Sequence, residues 1–251
     1  MLSSPERLTK RQKRVLRQEQ VIDKSGELNI GGKFKPKRIT PMTDTQEDAF
    51  DAYREGYNLM LHGTAGTGKT FIAVYLALES VLSASVHNKV FICRSVVPTR
   101  DMGFLPGNQK EKMRVYEAPY ADITKKLFDR GDAYDILKTK HLVEFMSTSF
   151  IRGITLDNCI LIVDEVQNMS SMELHSVMTR VGENCRVIFC GDMGQDDLTS
   201  ERKKELSGLR DFLRIIDNMK EFSFVEFTTD DIVRSDLVKS YIIARSQLGL
   251  D

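Results

Sequence analysis

The residues best equipped for chemistry sit in one eight-residue stretch, "GTAGTGKT", from Gly63 to Thr70. It matches the spacing G-x-x-x-x-G-K-[ST], with an apolar run before it and an amphipathic pattern after it, the context that makes such a loop a phosphate cradle. Gly63, Gly66 and Gly68 let the backbone curl with its N–H groups turned inward, and Thr64, Ala65 and Thr67 complete the turn. A helix starting there adds its positive N-terminal end. Lys69 is expected to reach the β- and γ-phosphates of ATP, and the Thr70 hydroxyl to help hold Mg2+. A glycine-rich turn without a ligand needs neither the Lys-Thr pair nor both flanks, so that reading is set aside.

A cradle alone names no reaction. The stretch "CILIVDEVQN" ends an apolar run with Asp164 and Glu165. At the carboxyl end of a parallel strand, two such acids face the ligand crevice. Asp164 is expected to hold Mg2+ through water, and Glu165 to polarise an attacking water as general base. Two acids can also open an ordinary helix, but a phosphate cradle requires a carboxylate partner of this kind. The adjacent Glu points to hydrolysis, since a small-molecule kinase has no need of that base. A third stretch, "RVIFCGDMGQDD", again ends an apolar run in polar residues, here Asp192 and Gln195. Gln195 suits a γ-phosphate sensor or a water-orienting group; an ordinary polar turn is the alternative.

These groups act together only if the fold brings their loops to one edge. From about residue 43 the chain alternates short apolar runs with longer amphipathic stretches, the pattern of an α/β domain with a mostly parallel sheet and helices on both faces. The expected strands are "YNLMLH", "VFIC", "CILIVD", "RVIFCG" and "FSFVEF". Helices are expected at Thr45–Glu55, Lys69–Leu82, Met172–Val181, Lys203–Met219 and Asp231–Arg245. Residues 103–150, with the loop "GFLPGNQ" followed by charged sequence, read as a largely helical insertion in the same domain.

Composition bounds the rest. The 251 residues are 41 % hydrophobic and 29 % charged, suited to one large α/β domain with an ordinary core. No apolar run approaches the roughly 20 residues needed to span a bilayer, and the N-terminal stretch lacks the apolar segment of a secretory signal. Cys93, Cys159, Cys185 and Cys190 show no C-x-x-C spacing, which argues against zinc or disulfides and for the cytoplasm. Net charge is zero, yet residues 1–38 hold eleven Lys/Arg against four Asp/Glu. We therefore divide the chain into a basic arm, 1–39, and a catalytic domain, 40–251. The arm either attracts phosphate backbones or is a solvated tail.

Taken together, the motifs resemble the PhoH-like family, P-loop ATPases similar to the first RecA-like domain of superfamily 1 helicases. The resemblance runs over roughly residues 40–245. It is carried by "GTAGTGKT", "RSVVPTRDMGFLPGNQKEKM", "SFIRGITLDNCILIVDEVQN", "MTRVGENCRVIFCGDMGQDD" and "DDIVRSDLVKSYI", with the "GFLPG" loop the most specific. It implies a single RecA-like domain and further roles. Gln46 would read the adenine edge, the alternative being a surface helix glutamine. Gln195 would be the helicase-type sensor. Arg234 would be an arginine finger, the alternative being an ion pair with Asp230 or Asp231; Arg152 or Arg180 would be a second phosphate contact. Because a superfamily 1 helicase closes its site between two RecA-like domains and only one fits here, Arg234 is expected to act in trans within a homo-oligomer, a hexameric ring. No segment suits the RNase domain that some relatives carry.

Single-stranded RNA or DNA, RNA ahead of DNA, is the expected partner. Arg94, Ser95, Pro98, Thr99 and Arg100 follow the second strand, and Lys110, Lys112 and Arg114 lie beyond, interleaved with Phe104 and Tyr116 for base stacking. A solvated loop is the alternative. A kinase lid with clustered arginines and the N-K-x-D element of GTPases are both absent, and "ELSGLRDF" reads as a helix. The remaining rival is a nucleotide-dependent assembly or binding module without helicase activity.

Overall fold

Strands that are apolar on both faces need cover on both sides, and the amphipathic stretches between them supply it. The computed structural model describes residues 34–83, 86–96, 109–192 and 204–248, with side chains of 109–112 and 204–208 left aside. The order of elements is α1 (Asp44–Glu55), β1 (Asn58–Gly63), α2 (Lys69–Leu82), β2 (Lys89–Arg94), α3 (Gln109–Phe128), α4 (Ala133–Thr139), β3 (Val143–Ser147), β4 (Cys159–Asp164), α5 (Ser171–Met178), β5 (Arg186–Gly191), α6 (Lys204–Asp217), β6 (Phe222–Phe227) and α7 (Asp236–Gln247). Short 3-10 turns occupy Val166–Asn168 and Thr229–Asp231.

The six strands form one sheet in the order β3-β2-β4-β5-β1-β6, every pairing parallel. Alternation along the strands sorts the core into two layers. Leu59, Leu61, Val90, Ile92, Ile160, Ile162 and Ile188 pack on the face covered by α1 to α4. Met60, Leu161, Val163, Val187 and Phe189 pack on the face covered by α5 and α6, through Leu174, Leu209, Phe212 and Leu213. This is the single three-layer α/β domain that the alternation predicts.

Local chemistry sets the ends of the elements. Thr43 caps α1 by accepting the Gln46 N–H, and Gly56 closes that helix in the left-handed region. Ser170 and Glu173 form a reciprocal capping box at the start of α5.

All five expected strands are present. The region 103–150 differs from expectation. It contributes α3, α4 and an unexpected strand, β3, which pairs with β2 and extends the sheet. Helix α7 also starts later than Asp231, because Ile232 leaves the preceding 3-10 turn in an extended conformation and the Val233 N–H reaches the carbonyl of Gly66 at 3.2 Å.

Candidate functional site

In a parallel sheet the carboxyl ends of all strands share one edge. The register places His62 beside Gly191 and Arg94 beside Asp164. Since β5 lies between β1 and β4, Asp192 emerges between the phosphate loop and the acid pair.

The loop is shaped by close backbone contact with β6. Gly63 has φ 110°, and a Cβ there would lie 2.0 Å from the carbonyl oxygen of Phe227, so only glycine fits. The Thr64 N–H donates to that oxygen at 2.8 Å, and the buried Thr67 hydroxyl donates to Thr64 O at 3.0 Å. Gly68 caps α2 without a side-chain acceptor, which leaves the first-turn N–H groups available to an anion.

Lys69 is 5 % exposed. Its ammonium donates to Gly63 O (3.0 Å) and Thr64 O (2.6 Å) and lies 2.8 Å from Asp192 Oδ1. The cation is thus held at the cradle by carbonyls and one carboxylate, the kind of partner a phosphate replaces.

Thr70 opens α2 and its hydroxyl donates to Asp164 Oδ1 at 2.8 Å. The other oxygen, Oδ2, accepts from the Tyr120 hydroxyl at 2.8 Å. Burial pushes the Asp164 carboxyl up from its ordinary value; the hydrogen bonds from Tyr120 and Thr70 and the nearby Arg94 oppose the rise. A hydroxyl and a carboxylate side by side are hard oxygen donors of the kind Mg2+ takes, so these two residues fit the ion.

Glu165 adopts the left-handed region, φ 57° and ψ 47°, unusual for a non-glycine residue. Strain of this kind costs about 1–3 kcal/mol and concentrates at functional sites. Its Oε2 accepts from Gln167 Nε2 (2.7 Å) and Asn168 Nδ2 (3.4 Å), and Oε1 lies 3.7 Å from Arg94 Nη2. Burial, and then the neighbouring Asp164, raise its pKa, with Arg94 opposing. The shift makes Glu165 a stronger base than an ordinary carboxylate. Gln167 also accepts the Asp192 N–H at 3.2 Å, tying the acid pair to the end of β5.

Gln46 is 5 % exposed, which removes the reading of a surface glutamine. Its Nε2 donates to Thr67 O at 3.0 Å and its Oε1 accepts from Met42 N at 2.9 Å. Arg234 lies against the phosphate loop of its own chain: a Cβ on Gly66 would meet its Cγ at 3.1 Å and its Nε at 3.6 Å. Among the described residues no ion pair joins it to Asp230 or Asp231. Arg234 thus lies beside the cradle of its own chain.

Two expectations are corrected. Arg94 and Ser95 do not line an outer track: Arg94 faces the acid pair, and Ser95, 6 % exposed, donates to Glu173 Oε1 at 3.0 Å. The register of β2 against β4 is the reason, since it sets Arg94 beside Asp164. Arg180 cannot serve as a phosphate contact on this edge. Its carbonyl accepts from Leu156 N at 2.8 Å beside the Leu156–Val181 bridge, which precedes β4 and lies at the opposite end of the sheet. Arg152 is exposed on the β3–β4 connection, and among the described residues no contact joins it to the cradle. Arg114 is exposed and Tyr116 half-buried on α3. Gln195, Pro98, Thr99, Arg100, Phe104 and the side chains of Lys110 and Lys112 lie outside the described residues. Tyr120 and Gln167 were not anticipated: Tyr120 joins the site through a contact that no linear motif encodes, whereas Gln167 stands two residues after Glu165 in the stretch that ends with Asn168.

Among the described residues no helix is long and apolar enough to cross a membrane. The profile of one family, described as PhoH-like protein, matches residues 38–245. A PhoH-like protein of Bacillus subtilis is 31 % identical over 219 residues, covering 84 % of this chain and 65 % of the relative. Protein PhoH of Escherichia coli K12 is 33 % identical over 186 residues, covering 73 % of this chain and 51 % of the relative. The chain thus spans between half and two thirds of these relatives' lengths. Among solved structures, the Sulfolobus solfataricus SWI2/SNF2 ATPase core in complex with dsDNA aligns with a TM-score of 0.43 at 10 % identity, over 78 % of this chain and 46 % of that one.

Proposed function

The chain belongs to the PhoH-like family, and from that premise we propose that it hydrolyses ATP and couples the hydrolysis to binding, translocation or unwinding of single-stranded nucleic acid, RNA ahead of DNA. The observation that carries the reading is the 2.8 Å bond from Thr70 to Asp164, which joins the cradle helix to the strand bearing Glu165. Lys69 and the loop from Gly63 to Thr70 bind the phosphates, Thr70 and Asp164 hold Mg2+, and Glu165 accepts a proton from water. Bound there, Mg2+ neutralises phosphate charge. Gln46 lies behind the loop, suited to read adenine if its amide lets go of Thr67. Gln195 is the γ-phosphate sensor, and Arg234 is the arginine finger, supplied in trans by a neighbouring subunit of a homo-oligomeric ring. Residues 1–39 form a basic arm ahead of the ATPase domain 40–251, with Phe34 already stacked on Phe128 of α3 at 4.5 Å. Support for nucleic acid comes from this arm and from Arg114 and Tyr116.

ATPase assays with and without single-stranded RNA and DNA test the proposal. Lys69→Ala is expected to bind ATP more weakly and to lose turnover. Glu165→Gln is expected to retain ATP and turn over about 10²–10⁴-fold more slowly; wild-type turnover would overturn the base assignment. A second reading, a nucleotide-dependent assembly module, is favoured by α7, which buries no residue and exposes Leu237 at 81 % and Tyr241 at 66 %, with Leu248 just after it at 72 %. Turnover without nucleic-acid stimulation, and no binding at low salt, would select it. The hexameric ring is part of the proposal, and a monomeric mass with full activity would remove it.

A further inference from the structure

The Asp164 carboxylate is held at both oxygens, each by a hydroxyl from a different helix. One is Thr70 on α2, next to Lys69. The other is Tyr120 on α3, in the region the sequence presented as an insertion, and it is fully buried. Its ring packs at 5.8 Å against Phe145 of β3, so the phenol has little room to turn away. Pro119 immediately precedes it; with no N–H, proline removes one intrahelical bond on the N-terminal side of Tyr120. One turn later the buried Thr124 hydroxyl donates to Tyr120 O at 2.9 Å, within the helix itself. Tyr120 thus anchors the middle of a helix whose N-terminal half carries Arg114 and Tyr116.

We propose that Tyr120 is the positioning residue of Asp164, holding Oδ2 so that the carboxylate presents a fixed oxygen toward Mg2+, and that α3 is thereby a working part of the nucleotide site. The inference deepens the nucleotide reading and rests on it. A phenol fits this role because it donates to a carboxylate while its ring fills apolar space. Groups that orient a metal-ligating carboxylate typically change metal affinity by about 10–100-fold when removed.

The test is Tyr120→Phe, which keeps the ring and removes only the hydroxyl. Binding of a fluorescent ATP analogue is titrated first in EDTA and then against increasing Mg2+. Binding in EDTA is expected to match wild type, while the Mg2+ concentration for half-maximal enhancement rises about 10-fold or more. Thr124→Val, a buried change on the same helix whose hydroxyl bonds the helix carbonyls of Tyr120 and Ala121, is expected to leave that concentration within about twofold. Thermal melts confirm that both variants fold. If wild type shows no Mg2+-dependent binding, the reading of the site fails. If wild type shows it and Tyr120→Phe has the same half-maximal Mg2+, the role of Tyr120 alone is overturned. An equal shift in Thr124→Val would reduce Tyr120 to a packing residue and overturn the proposal as well.

Discussion

Replacing Asp192 with Asn is predicted to tighten nucleotide binding in the absence of metal. The Lys69 ammonium lies 2.8 Å from Asp192 Oδ1, with the lysine side chain 5 % exposed and the aspartate 45 % exposed. A triphosphate that takes Lys69 as a partner must first displace this carboxylate. The pair is intermediate between an exposed bridge, worth about 0.2–1 kcal/mol, and a buried one, whose breaking costs about 3–5 kcal/mol. We take about 1–2 kcal/mol for the competition, which corresponds to about 5- to 30-fold in affinity. The measurement is a titration of ATP analogue in EDTA, so that any role of Asp192 toward Mg2+ drops out. In a Lys69→Ala background the same substitution should have no effect, because the coupling partner is gone. Equal or weaker metal-free binding by Asp192→Asn would show that the ion pair does not compete with phosphate.

Gly63→Ala should lower the melting temperature by about 5–20 °C. Positive-φ strain of about 1–2 kcal/mol adds to the displacement of Phe227, at about 2–4 °C per kcal/mol for a chain of this size. Gly56→Ala, with φ 106° and nothing within 4 Å of the added carbon, should lose only the strain, so equal losses would contradict the backbone-contact argument. Glu165→Asn should abolish hydrolysis yet melt no lower than wild type, since asparagine tolerates the left-handed conformation; a clear drop in melting temperature would count against strain at Glu165. Mixing Lys69→Ala with Arg234→Ala protein should restore some ATPase activity, because a finger acting in trans completes the site of a neighbouring subunit. No recovery at any mixing ratio would mean that the guanidinium acts within its own chain.

The cradle and the acid pair were legible because each is a local pattern: glycines and Lys-Thr at fixed spacing, and carboxylates ending an apolar run. The five expected strands were legible for the same reason, being nearly continuous apolar runs. Strand β3 was not, since "VEFMS" carries the exposed Glu144, which pairs with Lys89 at 3.0 Å, and follows two charged helices. Arg94 looked like a surface contact because its environment depends on register, and register is a tertiary property. Tyr120 was invisible in the same sense. It meets Asp164 across 44 residues of chain, and nothing in "EAPYADI" marks it apart from other helical aromatics. Burial turned Gln46 from a candidate into a residue tied to the loop. Arg234 was found by its motif, but its place beside the loop of its own chain needed the Val233–Gly66 contact to be seen.

The loop's dependence on β6 has a consequence for synthesis. Thr64 and its carbonyl partner Phe227 lie 163 residues apart, and the Gly66–Val233 bond spans a similar length. A ribosome adding about 5–20 residues per second needs roughly ten to thirty seconds to cover that interval. For that time the nascent chain carries the whole phosphate motif without the strand that shapes it. Nucleotide capture is therefore a late event in the life of the polypeptide, and a stalled or truncated product ending before Phe227 is expected to be inert toward ATP despite an intact motif.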